Sequence, residues 1–465
     1  MARDVSDLTP IGSKDELMSW MAAGEKPPSA FRIGTEHEKF PFYRDDLAPV
    51  PYEGRPASDG RPAAGGIRSL LEGMQAKLGW EPIMDAGHII GLAGPDGGGA
   101  ISLEPGGQFE LSGAPVETLH ETASELADHL ADVKAVAQPH GIGFVSLGHS
   151  PLWTRAQTPV MPKGRYKIMA NYMPKVGTRG LDMMFRTCTV QVNLDFATEA
   201  DMVRKLRVSL ALQPLATALF AASPFTEGKL NGFQSMRSEI WCDTDKARSG
   251  MIPFAFDEGM SYERYVDWAL DVPLYFVKRG DTYHDVAGAS FRDLLAGKLA
   301  QLPGERATIS DWANHLSTLF PEVRLKRFLE MRGADAGSPE MLNALPAFWV
   351  GLLYDQAALD GAWDLVKGWS DEQRQALRDA VPKEGLSATI AGRSLRDIAR
   401  DVLALSRAGL VRRARINGSG ADESAFLDPL DAIVAADQTV SQHLVERYRS
   451  AWGGEIEPLF SELVL

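Results

Sequence analysis

The stretch Gly-Thr-Glu-His-Glu-Lys-Phe, residues 34–40, decides the interpretation of this 465-residue chain. It follows an apolar-leaning segment, and we predict that it forms a β-strand. Because residues two apart in a strand point to the same face, Glu36 and Glu38 are expected to project side by side. Two like charges this close are destabilising unless a cation offsets them, and Mg²⁺ prefers carboxylate oxygens. Taken alone, the stretch suits a metal site and a solvent-facing strand equally well.

A second acidic pair lies on the strand-like pieces 100–104 and 108–112, which join at Pro-Gly-Gly and carry Glu104 and Glu110. A two-residue turn would place the two acids on opposite faces. A bulge or an odd-length loop, which glycine makes easy, would bring them to the same face. The sequence leaves both arrangements open. If only one acid is a ligand, Glu110 is preferred, because its immediate neighbours in the alternating pattern are apolar.

Two later strands repeat the pattern of a polar face opposite an apolar one. A strictly alternating segment places Gln191 and Asn193 on its polar face. Amides can bind substrate, serve as weak metal ligands or simply face solvent. Glu330 and Arg332 also share one face. This pair suits a metal with a phosphate group, or equally a routine surface ion pair.

Basic residues occur in loops between these strands, at Lys163, Arg165, Arg237 and Arg248. Any one of them could be an ordinary surface charge. Beside four strands with acidic or amide faces, they suggest a site for an anionic substrate that is bridged by metal ions.

The composition limits the classes of function. The net charge is −14 and no Lys/Arg-rich run occurs, which argues against a nucleic-acid surface. The two cysteines, Cys188 and Cys242, permit at most one disulfide and fit a reducing compartment. The first residues lack an apolar signal core, and no apolar run approaches the ~18 residues of a membrane span. We therefore predict a soluble cytoplasmic protein without nucleic-acid or membrane partners.

Periodicity predicts the fold class. Helical patterns at 67–78, 116–138 and 199–222 lie between strand-like segments. We predict an α+β fold, in which an antiparallel sheet has helices against one face. Residues 1–345 would form the sheet with its flanking helices and carry the catalytic site. Residues 346–465 would form a mostly helical part packed on the same domain.

Seven segments, in order along nearly the whole chain, carry a family resemblance. Together they resemble glutamate–cysteine ligases of the plant and proteobacterial type. The segments are Gly-Thr-Glu-His-Glu-Lys-Phe (34–40), Ser-Leu-Glu-Pro-Gly-Gly-Gln-Phe-Glu-Leu-Ser-Gly-Ala-Pro (102–115), Met-Pro-Lys-Gly-Arg-Tyr (161–166), Arg-Thr-Cys-Thr-Val-Gln-Val-Asn-Leu-Asp-Phe (186–196), Ser-Pro-Phe-Thr-Glu-Gly (223–228), Arg-Leu-Lys-Arg-Phe-Leu-Glu-Met-Arg-Gly-Ala-Asp (324–335) and Leu-Pro-Ala-Phe-Trp-Val-Gly-Leu-Leu-Tyr-Asp (345–355).

The resemblance implies a glutamine-synthetase-like fold, a curved antiparallel sheet whose concave face holds ATP and metal. It implies that ATP drives the ligation of the γ-carboxylate of L-glutamate to the amine of L-cysteine through γ-glutamyl phosphate. The products are γ-glutamylcysteine, ADP and phosphate, and the reaction is the first step of glutathione biosynthesis. Members of this kind use two or three Mg²⁺ ions and are restrained by glutathione, which implies the same cofactor and feedback inhibitor here.

The resemblance also implies a role for each candidate residue. The catalytic residues would be Glu330, holding metal near the γ-phosphate, and Arg332, stabilising the transferred charge. Gln191 stands where the wider superfamily often has a metal-binding histidine, so its role as a metal ligand stays open. The implied metal ligands are Glu36, Glu38, Glu104, Glu110 and Glu330; the implied substrate-binding residues are Arg237, for the glutamate α-carboxylate, Asn193, Gln191 and Arg248; and the implied nucleotide-binding residues are Lys163, Arg165 and Arg332.

Two alternative functions keep the same fold. The chain could ligate glutamate to another amine, or it could be a non-catalytic binding protein, although the retained acidic residues argue against the latter. One departure from the plant-like pattern concerns Asn343, which stands where that pattern has cysteine. We therefore predict no plant-like disulfide switch. Cys188, on the apolar face of its strand, is expected to be a core residue.

Overall fold

A computed structural model describes residues 7–58 and 61–465. Its strands are β1 (Ile33–Tyr43), β2 (Glu81–Asp85), β3 (His88–Ala93), β4 (Ala100–Leu103), β5 (Phe109–Ser112), β6 (Ile142–Val145), β7 (Thr189–Leu194), β8 (Phe225–Thr226), β9 (Lys229–Leu230), β10 (Ser249–Gly250), β11 (Phe276–Arg279), β12 (Thr282–Asp285), β13 (Phe320–Pro321), β14 (Val323–Leu325), β15 (Leu329–Asp335), β16 (Thr389–Ile390) and β17 (Arg393–Ser394).

The α-helices lie between and after these strands. They are α1 (Lys14–Ala22), α2 (Ile67–Leu78), α3 (Leu119–Ala137), α4 (Gly164–Tyr172), α5 (Gly180–Arg186), α6 (Glu199–Leu219), α7 (Met236–Trp241), α8 (Tyr262–Asp271), α9 (Phe291–Leu295), α10 (Ile309–Ser317), α11 (Pro339–Leu353), α12 (Gln356–Val366), α13 (Asp371–Glu384), α14 (Leu395–Arg413), α15 (Asp428–Ala436), α16 (Val440–Arg449) and α17 (Glu457–Glu462). No helix in the described ranges is long and apolar enough to cross a membrane.

The main sheet is antiparallel and has β1 near its centre. In the described part of the chain it contains nine strands, in the order β14-β15-β7-β1-β5-β4-β3-β2, with β6 pairing the second half of β1. The predicted α+β fold with a large antiparallel sheet is therefore confirmed. Because β1 is central, it is covered on both sides, and its side chains are buried or half-buried along its whole length.

Helices cover one face of this sheet. Helix α6 packs on β14 and β15, while α11 packs on β7 and β1. Val190, Val192 and Leu194 of β7 belong to the resulting core and are fully buried. The alternation that buries these apolar side chains turns their polar neighbours toward the opposite face, where the site lies.

The C-terminal helices do not begin where the sequence suggested a division. Positions 345 and 346 lie inside α11, so a boundary between them would cut a continuous helix. The change from sheet to helices occurs at Ser338, which precedes α11. Residues of α11 and α14 share one apolar core with the sheet.

Buried histidines make this fold sensitive to acid. Burial lowers the pKa of His149 and of His315 to about 3. Between pH 6.5 and 3 these two histidines are therefore protonated in the unfolded chain but neutral in the folded protein. Stability is retained above pH 6.5 and lost as the pH falls, at about 1.4 kcal/mol per pH unit for each such histidine.

We expect His315→Gln to flatten this pH dependence, because glutamine does not titrate. Its amide can still donate a hydrogen bond to the carbonyl oxygen of Ala269, 2.8 Å from His315 Nε2. Urea unfolding at pH 7 and pH 5 measures the effect. The exposed His443→Gln serves as the control and should keep the parent's slope. An unchanged slope in His315→Gln would contradict the prediction.

The two cysteines differ in accessibility. Cys188 is fully buried, and burial followed by the charge of Glu38 raises the pKa of its thiol well above the usual value. Because thiolate is the reactive form, we expect a maleimide to label Cys188 only after unfolding. Mass spectrometry of native and urea-treated protein checks this. Labelling of native Cys188 as fast as that of the partly exposed Cys242 would contradict it.

Candidate active site

The strand register brings the first two acids to one face. In the pairing of β1 with its neighbours, Glu36 lies opposite Gln191 and Ser112, and Glu38 lies opposite Glu110. Directly opposed residues in an antiparallel pair share a face. The predicted side-by-side projection of Glu36 and Glu38 is therefore confirmed.

The hairpin between β4 and β5 resolves the choice that the sequence left open. Leu103 pairs with Phe109, and Glu104 N–H donates to the carbonyl oxygen of Gln108 at 3.0 Å. The connecting loop, 105–107, therefore has three residues. This odd length places Glu104 on the same face as Glu110, as the second arrangement requires.

These acids and several cations line one cavity of about 110 Å³. Its acidic side chains are Glu36, Glu38, Glu104 and Glu110. Its cationic side chains are Lys163, Arg165, Arg237, Arg324 and Arg332. The remaining lining includes Gln191, Thr189, Tyr166, Trp241 and the thioethers Met169, Met183 and Met184. One chamber thus combines anionic and cationic walls.

The acidic wall, formed by Glu36, Glu38, Glu104 and Glu110, brings like charges together on one side of the cavity. Glu38 is 8% exposed and accepts a hydrogen bond from the Thr189 N–H at 2.9 Å. Burial, followed by the charges of Glu104 and Glu110, raises the pKa of Glu38 well above its usual value. Burial and the charge of Glu330 likewise raise the pKa of Glu36. A bound cation would relieve this unfavourable concentration of charge.

No preformed metal cage exists within residues 7–58 and 61–465, because no three acidic, histidine or cysteine side chains there converge closely enough to hold an ion. Mg²⁺ does not need such a cage. It binds through one or two carboxylates and completes its shell with water and substrate phosphate. The hard oxygen donors at the acidic wall fit this mode of binding.

Glu330 has a different environment from the other predicted ligands. It is fully buried, and Arg324 Nη2 lies 2.6 Å and Lys326 Nζ 3.0 Å from its oxygens, with Arg332 as a third ion-pair partner. Burial alone would raise the pKa of Glu330, but Arg324, Lys326 and Arg332 hold it well below its usual value. As a metal ligand it would have to open one of these ion pairs.

Arg332 and Arg237 stand together at the cationic wall. Arg332 Nη1 donates to Gln191 Oε1 at 2.5 Å and also contacts Glu330. Arg237, on α7, is 3% exposed and donates from Nη2 to the carbonyl oxygen of Arg332 at 2.8 Å. Backbone and side-chain contacts thus fix both guanidinium groups beside the cavity.

Lys163 and Arg165 lie at the start of α4 and also line the cavity. Lys163 Nζ is 5.2 Å from the centre of the Tyr166 ring. The Arg165 guanidinium is 5.5 Å from the centre of the Phe276 ring. Both contacts lie within the usual range for cation–π interactions, which order the side chains without neutralising their charge.

Two predicted substrate-binding residues do not line the cavity. Asn193 donates from Nδ2 to Glu36 Oε1 at 2.8 Å, so it orients a carboxylate. Arg248 is fully buried, ion-paired with Asp245 at 2.6 Å and stacked 3.8 Å from the Tyr275 ring centre. The structure therefore places Arg248 outside the cavity lining, in an ion pair that holds neighbouring segments together.

Arg324 was missed at the level of sequence. It lies on β14 directly opposite Glu330 of β15. The signal that could have found it is the short turn 326–328, because a three-residue turn leaves Arg324 and Glu330 directly opposite each other, and directly opposed residues share a face. Thr189 was also missed, because its contribution to Glu38 comes from its backbone.

Curated relatives match almost the whole chain. A chloroplastic glutamate–cysteine ligase of Arabidopsis thaliana is 53% identical over 452 residues, which cover 97% of this chain and 83% of that protein. Chloroplastic glutamate–cysteine ligase B of Oryza sativa is 52% identical over the same share of this chain and 87% of its own. These chloroplastic names contradict the predicted cytoplasmic location. That prediction rested on the composition of the first residues, of which 1–6 lie outside the described ranges.

Among solved structures, the chain is similar to a glutamate–cysteine ligase from Francisella tularensis in complex with AMP. The TM-score is 0.52 and the identity 13%, over 90% of this chain and 85% of that one. At this identity the likeness shows the fold alone. The model of glutamate-cysteine ligase family 2 matches residues 32–462. The register of the acidic strands, the family model and the relatives agree: the chain belongs to glutamate-cysteine ligase family 2.

Proposed function

We propose that the cavity joins the γ-carboxylate of L-glutamate to the amine of L-cysteine at the expense of ATP. The products are γ-glutamylcysteine, ADP and phosphate, the first step of glutathione biosynthesis. The observation that carries the proposal is the combination, in one chamber, of four carboxylates with five cationic side chains. Such a chamber suits a polyphosphate with its metal ions and an amino-acid carboxylate at the same time.

The reaction requires activation of glutamate, because a carboxylate is a poor acylating agent. Phosphorylation of the γ-carboxylate by ATP makes an acyl phosphate, which the amine of cysteine then attacks while phosphate leaves. Catalysis of phosphoryl transfer is mostly positioning and charge stabilisation, so no protein nucleophile is needed. Arg332 and Arg324 are proposed to stabilise the negative charge that develops on the transferred group.

We further propose that Mg²⁺ ions bind at the acidic wall, each through one or two of the carboxylates of Glu36, Glu38, Glu104 and Glu110. When bound, it would neutralise phosphate charge and orient the nucleotide. Asn193 would keep Glu36 in place, and Gln191 would hold Arg332. Glu330 is proposed to act on catalysis mainly by fixing Arg332.

Different residues of the cationic wall would bind the two anionic substrates, glutamate and ATP. Arg237 is proposed to bind the α-carboxylate of glutamate, since its planar fork matches a carboxylate in two hydrogen bonds. Lys163 and Arg165, at the start of α4, are proposed to contact the phosphates of ATP. Glutathione contains the γ-glutamylcysteine unit, and we propose that it competes for the same chamber as a feedback inhibitor.

The test is the formation of ADP by purified protein with ATP, Mg²⁺, glutamate and a panel of amines. The expected result is ADP release that requires both glutamate and cysteine, with γ-glutamylcysteine identified by mass spectrometry. Serine, 2-aminobutyrate and glycine at equal concentration serve as matched acceptors. Equal rates of ADP release with all four amines would show that the protein does not prefer cysteine as the acceptor. No ADP release with any amine would exclude the ligase reaction.

A further inference from the structure

One buried acid, Asp335 at the end of β15, holds the segment that leads into Arg237. Asp335 is 1% exposed and is not among the residues that line the cavity. Its Oδ2 accepts hydrogen bonds from the Ala222 N–H at 2.9 Å and from the Ser223 hydroxyl at 2.6 Å. Its Oδ1 accepts from the Ser235 hydroxyl at 2.8 Å. Three donors from one segment of the chain therefore converge on a single carboxylate.

The two hydroxyl groups connect Asp335 to helix α7. Ser235 is the N-cap of α7, and its Oγ accepts from the Ser238 N–H at 3.1 Å. Ser223 Oγ accepts from the backbone N–H of Arg237 at 3.3 Å. Because each hydroxyl donates its hydrogen bond to Asp335, its lone pairs remain directed at these backbone N–H groups. Two successive hydrogen bonds, through the Ser223 hydroxyl, therefore connect the backbone of Arg237 to Asp335.

Charge links the same two residues. Burial lowers the pKa of the Arg237 guanidinium, and the charges of Asp335 and Glu38 oppose that shift. Burying a cation costs free energy unless a nearby negative charge offsets it, so the charge of Asp335 stabilises the buried guanidinium of Arg237. Gly148 leaves room for this arrangement, since a Cβ there would lie 2.2 Å from Asp335 Cγ.

We propose that Asp335 is the positioning residue that sets Arg237 for the α-carboxylate of glutamate. The inference rests on the proposed role of Arg237 in glutamate binding. It adds that the geometry of this contact is determined outside the cavity, by a carboxylate that touches neither substrate nor metal. Asp335 acts through two serine hydroxyls and through its charge.

The test compares the kinetics of Asp335→Asn, Arg237→Ala and the double variant. Asparagine keeps one acceptor oxygen but replaces the other with a donor, so one of the two serine contacts is lost. We expect Asp335→Asn to raise KM for glutamate about ten- to a hundredfold while KM for ATP changes by less than about threefold. In the Arg237→Ala background the same change should raise KM for glutamate no further.

The matched control is Asp195→Asn, which removes another buried aspartate, one that accepts the Arg32 N–H at 2.7 Å and lies outside the cavity lining. It should leave KM for glutamate unchanged. Equal changes in KM for glutamate and ATP, an unchanged KM for glutamate, or full additivity with Arg237→Ala would each overturn the proposal.

A second variant keeps the proposal testable if Asp335→Asn does not fold. Ser235→Ala removes one of the two connecting hydroxyls and keeps the charge of Asp335, so it should raise KM for glutamate by a smaller factor, about threefold to tenfold. No rise would overturn the proposal. If Arg237→Ala itself leaves KM for glutamate unchanged, the proposed role of Arg237 fails, and that result is distinct from failure of Asp335 alone.

Discussion

Replacement of Glu38 by glutamine is expected to lower kcat by at least about a hundredfold. Glutamine preserves the shape of the side chain and an oxygen that can accept the Thr189 N–H, so the loss isolates the charge. Glu38 lies opposite Glu110 and faces the cavity, where we propose that the carboxylates bind Mg²⁺. The apparent Mg²⁺ requirement should rise together with the loss in kcat.

The stability of Glu38→Gln should move in the opposite direction. The pKa of Glu38 is raised in the fold, so its ionised form costs stability at neutral pH when no cation is bound. Urea unfolding without Mg²⁺ should therefore find the variant at least as stable as the parent. Unchanged turnover at saturating Mg²⁺ would remove Glu38 from the metal-binding wall, and a large loss of stability would attribute inactivity to misfolding.

Replacement of Glu330 by glutamine is expected to destabilise the fold as well as abolish activity. Glu330 is fully buried among Arg324, Lys326 and Arg332, and the change would leave three clustered cations without their shared anion. Breaking a buried ion pair costs about 3–5 kcal/mol, and three cations place this case at the upper end. Urea unfolding in the absence of Mg²⁺ measures the loss directly.

The control for Glu330→Gln is Glu423→Gln. Glu423 is equally buried but has one cationic partner, Arg413, and also accepts the Leu119 N–H at 2.7 Å. Its replacement should cost less stability and should leave kcat near the parent's. A Glu330→Gln variant that is inactive yet as stable as the parent without Mg²⁺ would show that Glu330 acts as a metal ligand rather than as an anchor for arginines.

Local patterns predicted the acidic wall well, because a strand has a side-chain period of two that needs no tertiary information. This is why Glu36 and Glu38 could be assigned to one face from sequence alone. The hairpin was different. Whether Glu104 joins Glu110 depends on a three-residue loop, and the loop length follows from which residues pair.

Charge by itself did not separate cavity residues from buried anchors. Arg237 and Arg248 look alike in the sequence, and both are buried in the fold. Arg248 is neutralised by Asp245 and stacked on Tyr275, whereas Arg237 lines the cavity. Such differences depend on long-range packing, which brings together segments far apart in the chain. The cluster of ion pairs around Glu330 could not be predicted from the sequence for the same reason.

Isotope transfer from glutamate to phosphate shows whether the ligation passes through an acyl phosphate. Glutamate labelled with ¹⁸O in its γ-carboxylate should be incubated with ATP, Mg²⁺, cysteine and the parent protein, and the released phosphate analysed by mass spectrometry. Because a γ-carboxylate oxygen becomes the bridge to phosphorus, we expect a single ¹⁸O atom in each phosphate released with γ-glutamylcysteine. Product formation with unlabelled phosphate would contradict it.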